Sequence, residues 1–187
     1  MRKIINSTYV TLDGVIENPQ DWPSTKDDGG AGYAIQTELL HACDAVLMGR
    51  RTYDAFAAVW PSRSGDGYSD RINSMAKYVV STTLRRPDWN NTTVIGDDVI
   101  AEIRRLKDGP GQDIVQYGFG QVSTALVEHG LLDELRLWVH PFFVGTGGPR
   151  DLLFQRRPMT MFDLVDTTAL TSGIVVLTYR PARADSA

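Results

Sequence analysis

Cysteine is almost missing from this sequence: Cys43 is the only one among 187 residues. A single thiol excludes an intramolecular disulfide framework and any cysteine-built zinc site. The three histidines, His41, His129 and His140, lie far apart without metal-ligand spacing, so no metal centre is expected. No apolar run approaches the roughly 18 residues of a membrane span. The start, Met1-Arg2-Lys3-Ile4-Ile5-Asn6, turns polar too soon for a secretion signal. Excess positive charge is also lacking, with 19 Lys and Arg against 23 Asp and Glu and a net charge of -4. That balance argues against a nucleic-acid binder, which neutralises phosphates with a cationic surplus. No Gly-x-Ser-x-Gly elbow occurs, and Cys43 beside the apolar Ala45–Met48 run reads as a buried, inert thiol. These absences point to a cytoplasmic protein that works on a small organic molecule, with neither membrane nor nucleic acid as partner.

The chain is long enough to bury one sizeable core. A single domain is expected over residues 1–181, with a frayed tail at 182–187. Strand-like and helix-like stretches alternate along it. Lys3–Val10 reads as a strand, Tyr33–Ala42 as a helix, Ala45–Met48 as a buried strand and Thr52–Val59 as a helix capped by Thr52. Tyr78–Val80 and Thr93–Ile95 follow as strands. Val99, Ile103 and Leu106 mark a helix that Gly109-Pro110-Gly111 ends. Ile114–Tyr117 is a strand, and Val122, Ala125 and Leu126 share a helix face before Gly130. In the next strand Leu135, Leu137 and Val139 alternate with Arg136, Trp138 and His140, one face being less buried. Thr160–Thr168 and Ile174–Tyr179 form a hairpin around Thr171-Ser172-Gly173. The fold class is therefore α/β: a central mixed, mainly parallel sheet flanked by helices, with an antiparallel C-terminal hairpin. Residues 17–32 and 61–67 are longer than ordinary connections, and the first is a candidate lid.

Chemistry concentrates where strands run into helices, the edge at which open α/β sheets bind ligands. In Tyr117-Gly118-Phe119-Gly120-Gln121-Val122-Ser123 a strand opens into a helix whose N–H groups suit a phosphate. Gly118 and Gly120 leave the main chain bare for close approach. A tight packing turn satisfies the same residues, and a third glycine is lacking where Ser123 stands. Met48-Gly49-Arg50-Arg51-Thr52-Tyr53-Asp54 is a second such junction, with two arginines as charge-assisted donors. A capped surface helix is the plainer reading. Val80-Ser81-Thr82-Thr83-Leu84-Arg85-Arg86 offers hydroxyls and cations, a seat for a ribose or its 2′-phosphate, or simply a polar turn. Asp13-Gly14 marks a turn after the first strand. The glycine-rich run Gly145–Phe154 reads as a long connection with an apolar anchor. Trp22, Trp60, Trp89 and Trp138 read as core or rim, Trp22 lying in the candidate lid.

In this order, Thr11-Leu12-Asp13-Gly14, Met48–Asp54, Tyr78-Val79-Val80-Ser81, Tyr117-Gly118-Phe119-Gly120, Gly130–Leu135 and Gly145-Thr146-Gly147 resemble the dihydrofolate reductase-like superfamily. The closer resemblance is to the branch holding the reductase domain of the bacterial riboflavin-biosynthesis deaminase/reductase, and it runs from Lys3 to about Arg180. The resemblance implies an NADPH site and a homodimer. Gly49, Arg50, Arg51 and Thr52 would take the pyrophosphate side and the 2′-phosphate, Ser81 and Thr82 the adenosine. Tyr117, Gly118, Gly120, Gln121 and Val122 would line the second phosphate junction. Val10 and Leu12 would border the nicotinamide, and Asp13, Gly14 and Trp22 the substrate. Dihydrofolate reductases carry a Pro-Trp pair and then a carboxylate on the first helix. This sequence has Asp21-Trp22-Pro23 instead, with Tyr33 near the acid's place and Glu38 displaced along the helix. No proton donor is identified, Asp13 and Glu38 being the nearest candidates. Nor does a zinc deaminase motif precede the reductase stretch.

The expected function is NADPH-dependent hydride transfer to a small conjugated heterocycle, pteridine-like or pyrimidine-like. One alternative is the 5-amino-6-(5-phosphoribosylamino)uracil reductase of riboflavin biosynthesis, in which Arg63 and Arg150 would meet the substrate phosphate. The other is a non-catalytic nucleotide-binding module. Arginines at 50, 51, 85 and 86 favour a 2′-phosphate, since an NAD site wants a carboxylate near the ribose.

Overall fold

The computed structural model describes residues 1–153 and 159–182. Phe154 of the glycine-rich connection and residues 183–187 of the expected tail lie outside them. The strands are β1 (Ile4–Thr11), β2 (Cys43–Gly49), β3 (Ala76–Val80), β4 (Thr92–Ile95), β5 (Asp113–Tyr117), β6 (Glu134–His140), β7 (Phe162–Ala169) and β8 (Val175–Pro181). The α-helices are α1 (Ala31–His41), α2 (Arg50–Ala57), α3 (Gly67–Ser74), α4 (Val99–Asp108) and α5 (Gln121–Glu128). The sheet is eight-stranded and mixed, in the order β4-β3-β2-β5-β1-β6-β8-β7. The expected α/β class with its antiparallel C-terminal hairpin is what the chain adopts. By compactness the chain divides into two units, Met1–Ile4 with Ala31–Tyr117 and Ile5–Gly30 with Gly118–Ala187.

In the first unit β2 pairs in parallel with β3 and β5, and β3 with β4. Ala45, Val46, Leu47 and Met48 are all buried, as an unbroken apolar run must be when both faces of a parallel strand are covered. Cys43 is buried too, as the sequence reading expects. Helix α4 turns Ile103 and Leu106 inward and stops at Gly109. Two details differ from the sequence reading. Helix α2 starts at Arg50 with Gly49 as its N-cap, so Thr52 sits inside the first turn and is not the cap. Helix α3 was not anticipated, because Tyr68 and Ile72 are buried among polar neighbours that blur the period. Its sequence signal is Asp66, whose carboxylate accepts the N–H groups of Tyr68 and Ser69 as a helix cap.

In the second unit β1 runs parallel to β6, while β8 pairs antiparallel with both β6 and β7. The final hairpin closes where Leu170 donates to the Ile174 carbonyl at 2.9 Å. On β6 the expected alternation holds at Leu135, which is buried, and reverses from Leu137 on. Trp138 and His140 are buried, whereas Leu137 and Val139 are only half-buried. Trp138 can go inside because its indole N–H donates to Ser7 Oγ at 3.1 Å, satisfying the polar tip. Residues 17–30 hold one short 3-10 turn, Pro19–Asp21. Among the described residues no helix is long and apolar enough to cross a membrane. No group of three potential metal ligands occurs among them either.

Candidate active site

The first unit supplies two strand ends. At the end of β2, Gly49 is extended and carries no side chain to cap α2. Gly49 thus offers the first turn of α2 no side-chain cap, and a helix start capped by glycine suits an anion. Arg50 Nε reaches both oxygens of Asp54, at 2.8 and 2.9 Å, and its Nη1 lies 3.2 Å from Thr83 Oγ1. This arginine thus links the β2–α2 junction to the turn after β3, and half of its charge is already answered. Arg51, one residue further, is exposed. After β3 the Ser81 hydroxyl accepts the N–H groups of Thr83 (3.2 Å) and Leu84 (3.0 Å), which builds a tight turn. Ser81 shapes this turn from a buried position, while Thr82, Arg85 and Arg86 are exposed on it.

The same unit holds an aromatic cluster that sequence reasoning did not assemble. Tyr117, at the end of β5, meets Tyr68 hydroxyl to hydroxyl at 3.0 Å. Phe56 lies against Tyr117 with ring centres 5.2 Å apart, and Trp60 packs on Tyr68 at 5.0 Å. Arg63 stacks over Trp60 at 5.3 Å. Tyr33 donates to Asp66 Oδ1 at 3.0 Å. Hydrogen bonds from Ser69, together with Tyr33, hold the Asp66 carboxyl down at about 2. Glu38 sits exposed on α1.

The second unit carries the other glycine junction. Gly118 adopts φ +78°, a conformation that L side chains rarely take. Its carbonyl accepts from Asn6 Nδ2 at 2.8 Å and from Ser123 Oγ at 2.9 Å. Asn6 is fully buried, and its oxygen accepts the Thr8 hydroxyl at 2.8 Å. This network was legible only as an oddity, Asn-Ser-Thr in the middle of an apolar strand. Buried polar groups need partners, and here they fix the carbonyl that turns the chain toward α5. Gly120 caps α5 without a side-chain hydrogen bond. A Cβ built on Gly120 would meet no atom within 4 Å. Gln121 is exposed and Val122 half-buried at the helix start.

In this unit too, Val10 is buried near the end of β1, while Leu12 is 53% exposed on the turn that follows. Gly14 closes that turn at φ +84°, donating to the Thr11 carbonyl at 2.9 Å. The Asp13 carboxylate accepts from Gly145 N at 2.8 Å and Val144 N at 3.3 Å, and from the Thr11 hydroxyl. These donors, Thr11 foremost, hold its carboxyl below the ordinary aspartate range. Trp22 is tethered by its indole N–H to the Glu17 carbonyl at 3.1 Å. Its ring meets His140 and Phe142 edge-on, at 5.1 and 5.9 Å. Burial pushes the pKa of His140 down, so the ring stays neutral at physiological pH. Arg150 is exposed in a 3-10 turn, Pro149–Asp151.

Comparison with known proteins places these features in a lineage. The model of the RibD C-terminal domain matches residues 2–176. The uncharacterized protein YyaP of Bacillus subtilis strain 168 is 32% identical over 185 residues, covering 95% of this chain and 94% of that protein. Among solved structures, a Shewanella sp. PV-4 protein provisionally named for riboflavin biosynthesis superposes with a TM-score of 0.75. That match has 18% identity and covers 98% of this chain and all of the other. A Thermotoga maritima diaminohydroxyphosphoribosylaminopyrimidine deaminase/5-amino-6-(5-phosphoribosylamino)uracil reductase gives 0.65 at 14% identity. It covers 97% of this chain, which spans only 57% of the Thermotoga chain.

Proposed function

The chain belongs to the RibD C-terminal domain family, a family of reductases, and on that premise we propose that it reduces a small conjugated heterocycle with NADPH. The substrate class is pteridine-like or pyrimidine-like. The observation that carries this reading is the glycine start of α5. Gly120 has open space where a Cβ would point, and no side chain caps the helix. That arrangement fits a phosphate approaching the main chain, as does the uncapped start of α2 with its arginines.

Bound NADPH would supply the hydride. The chain's own part is to anchor and orient. In the first unit Gly49, Arg50, Arg51 and Thr52 would hold phosphate, with Ser81 and Thr82 at the adenosine. In the second unit Gly118, Gly120, Gln121 and Val122 would hold phosphate at the start of α5. Val10 and Leu12 would border the nicotinamide, and Gly14 the substrate. Trp22, whose indole N–H is held by the Glu17 carbonyl, would border the substrate as well, within the candidate lid of residues 17–32. We assign the working enzyme to a homodimer in the cytoplasm.

A fluorescence titration with NADPH and NADH tests the cofactor, and binding of neither sinks the proposal. NADPH consumption across dihydrofolate, pterin and ribosylaminopyrimidine substrates then tests the reaction. Turnover confined to the last would select the uracil reductase. NADPH binding without turnover on any of them would select a non-catalytic module.

A further inference from the structure

We propose that Asp13 is a positioning residue whose carboxylate clasps the main chain of Val144 and Gly145 onto the Thr11–Gly14 turn, holding in place the residues that border the reacting rings. The last clause rests on the function proposed above; the clasp itself does not. Asp13 receives three donors, the N–H groups of Gly145 and Val144 and the Thr11 hydroxyl. Thr11 Oγ1 in turn accepts Val15 N at 3.0 Å, so one buried hydroxyl serves both ends of the turn. Around the clasp the two segments are joined by main-chain bonds. Leu12 N donates to the Phe142 carbonyl (3.0 Å), Ile16 N to Asp151 (2.8 Å) and Leu153 N to Gly14 (2.7 Å). Val15 and Leu152 form an antiparallel bridge.

Residues 143–148 have no regular structure of their own. Between the Leu12–Phe142 bond and the Ile16–Asp151 bond, the Asp13 carboxylate ties this segment to the first turn. An ionised carboxylate with its lone pairs directed at three donors carries no proton to give. Its chemistry suits holding a loop and not feeding a hydride acceptor. Gly145, at φ +69°, presents its N–H to Oδ2 at the shorter of the two main-chain distances. Each such bond to a charged acceptor is stronger than a neutral one.

The test compares Asp13→Ala, Asp13→Asn and Thr11→Val, using amide hydrogen exchange at Val144 and Gly145 alongside steady-state kinetics. The clasp predicts exchange at both amides faster by about tenfold in Asp13→Ala, the factor expected for losing a charge-assisted bond. Thr11→Val should produce a smaller increase, and the double variant less than the product of the two singles. In kinetics Asp13→Asn should lower kcat while leaving the shape of the pH profile unchanged. Thr11→Val should lower it in the same direction. Unchanged exchange at residues 144 and 145 overturns the clasp. Loss of the acidic limb of the pH profile in Asp13→Asn, with Thr11→Val unaltered, makes Asp13 the proton donor and overturns it equally. Should Asp13→Ala fail to fold, Asp13→Asn and Thr11→Val give the same exchange readout. Should the protein bind no NADPH, the proposed function fails while the exchange data still decide whether the clasp exists.

Discussion

Replacing Gly120 by alanine separates a phosphate cradle from a packing turn. The backbone at Gly120 has φ −104°, which an L-residue can adopt, and the added Cβ meets no atom within 4 Å. Strain and clash therefore contribute nothing to the cost. Two smaller effects oppose each other. Removing a glycine cuts the unfolded chain's freedom and stabilises by about 0.4–1 kcal/mol. Alanine is a poorer N-cap than glycine by a comparable amount, roughly 0.5–1 kcal/mol. The net is close to zero, so the melting temperature should move by no more than about 2–4 °C. Cofactor binding should behave differently. A methyl group at the helix start stands where the phosphate would approach, and losing one charge-assisted hydrogen bond is worth about 1.5–3 kcal/mol. NADPH affinity measured by fluorescence titration should therefore fall about ten- to a hundredfold. An unchanged NADPH affinity in a folded Gly120→Ala would refute the cradle. A large loss of stability would show that the space around the residue is not open.

Further outcomes follow from the same structure. Arg51→Ala should weaken NADPH by a few kcal/mol at most and NADH much less; equal loss for both would take the arginine away from the 2′-phosphate. Asn6→Ala removes the buried donor to Gly118 and the acceptor of Thr8, and urea unfolding should show a loss of about 1–3 kcal/mol; a neutral result would mean the network does not support the turn. His140 is held below its ordinary pKa of 6.5 by burial among Tyr9, Trp22 and Phe142. Between its folded value and 6.5 the unfolded chain binds the extra proton. Its contribution is thus complete above pH 6.5 and shrinks as pH falls through that window, a slope that His140→Phe should flatten in urea titrations.

How far the fold was legible depends on how each element is stabilised. Strand β2 announces itself because a parallel strand covered on both faces must be apolar throughout, and Ala45–Met48 is so. The hairpin of β7 and β8 is written in Thr171-Ser172-Gly173. Helix α3 escaped because it buries only two large apolar side chains, Tyr68 and Ile72, and its best signal is the single capping carboxylate of Asp66. On β6, period-2 reading ranked leucine and valine above tryptophan and histidine. Burial followed instead from the partner available to Trp138 at Ser7, which lies more than a hundred residues away.

The same division runs through the candidate site. Sequence alone determined that a lone cysteine, Cys43, closes no disulfide within the chain. It also placed glycines and arginines where strands run into helices, residue types that suit an anion there as well as a packing turn or a solvated helix start. Only tertiary structure decided what each polar side chain is free to do. Arg50 is half-spent on Asp54, and Ser81 on its own turn. Asn6 is committed to Gly118, and Trp22 to the loop it sits in. Asp13, an acid by composition, is an acceptor by position. The reason is physical: a residue's type fixes which bonds it can make, but folding selects the partner, from the same turn as Asp54 for Arg50 or from more than a hundred residues away as Gly118 for Asn6.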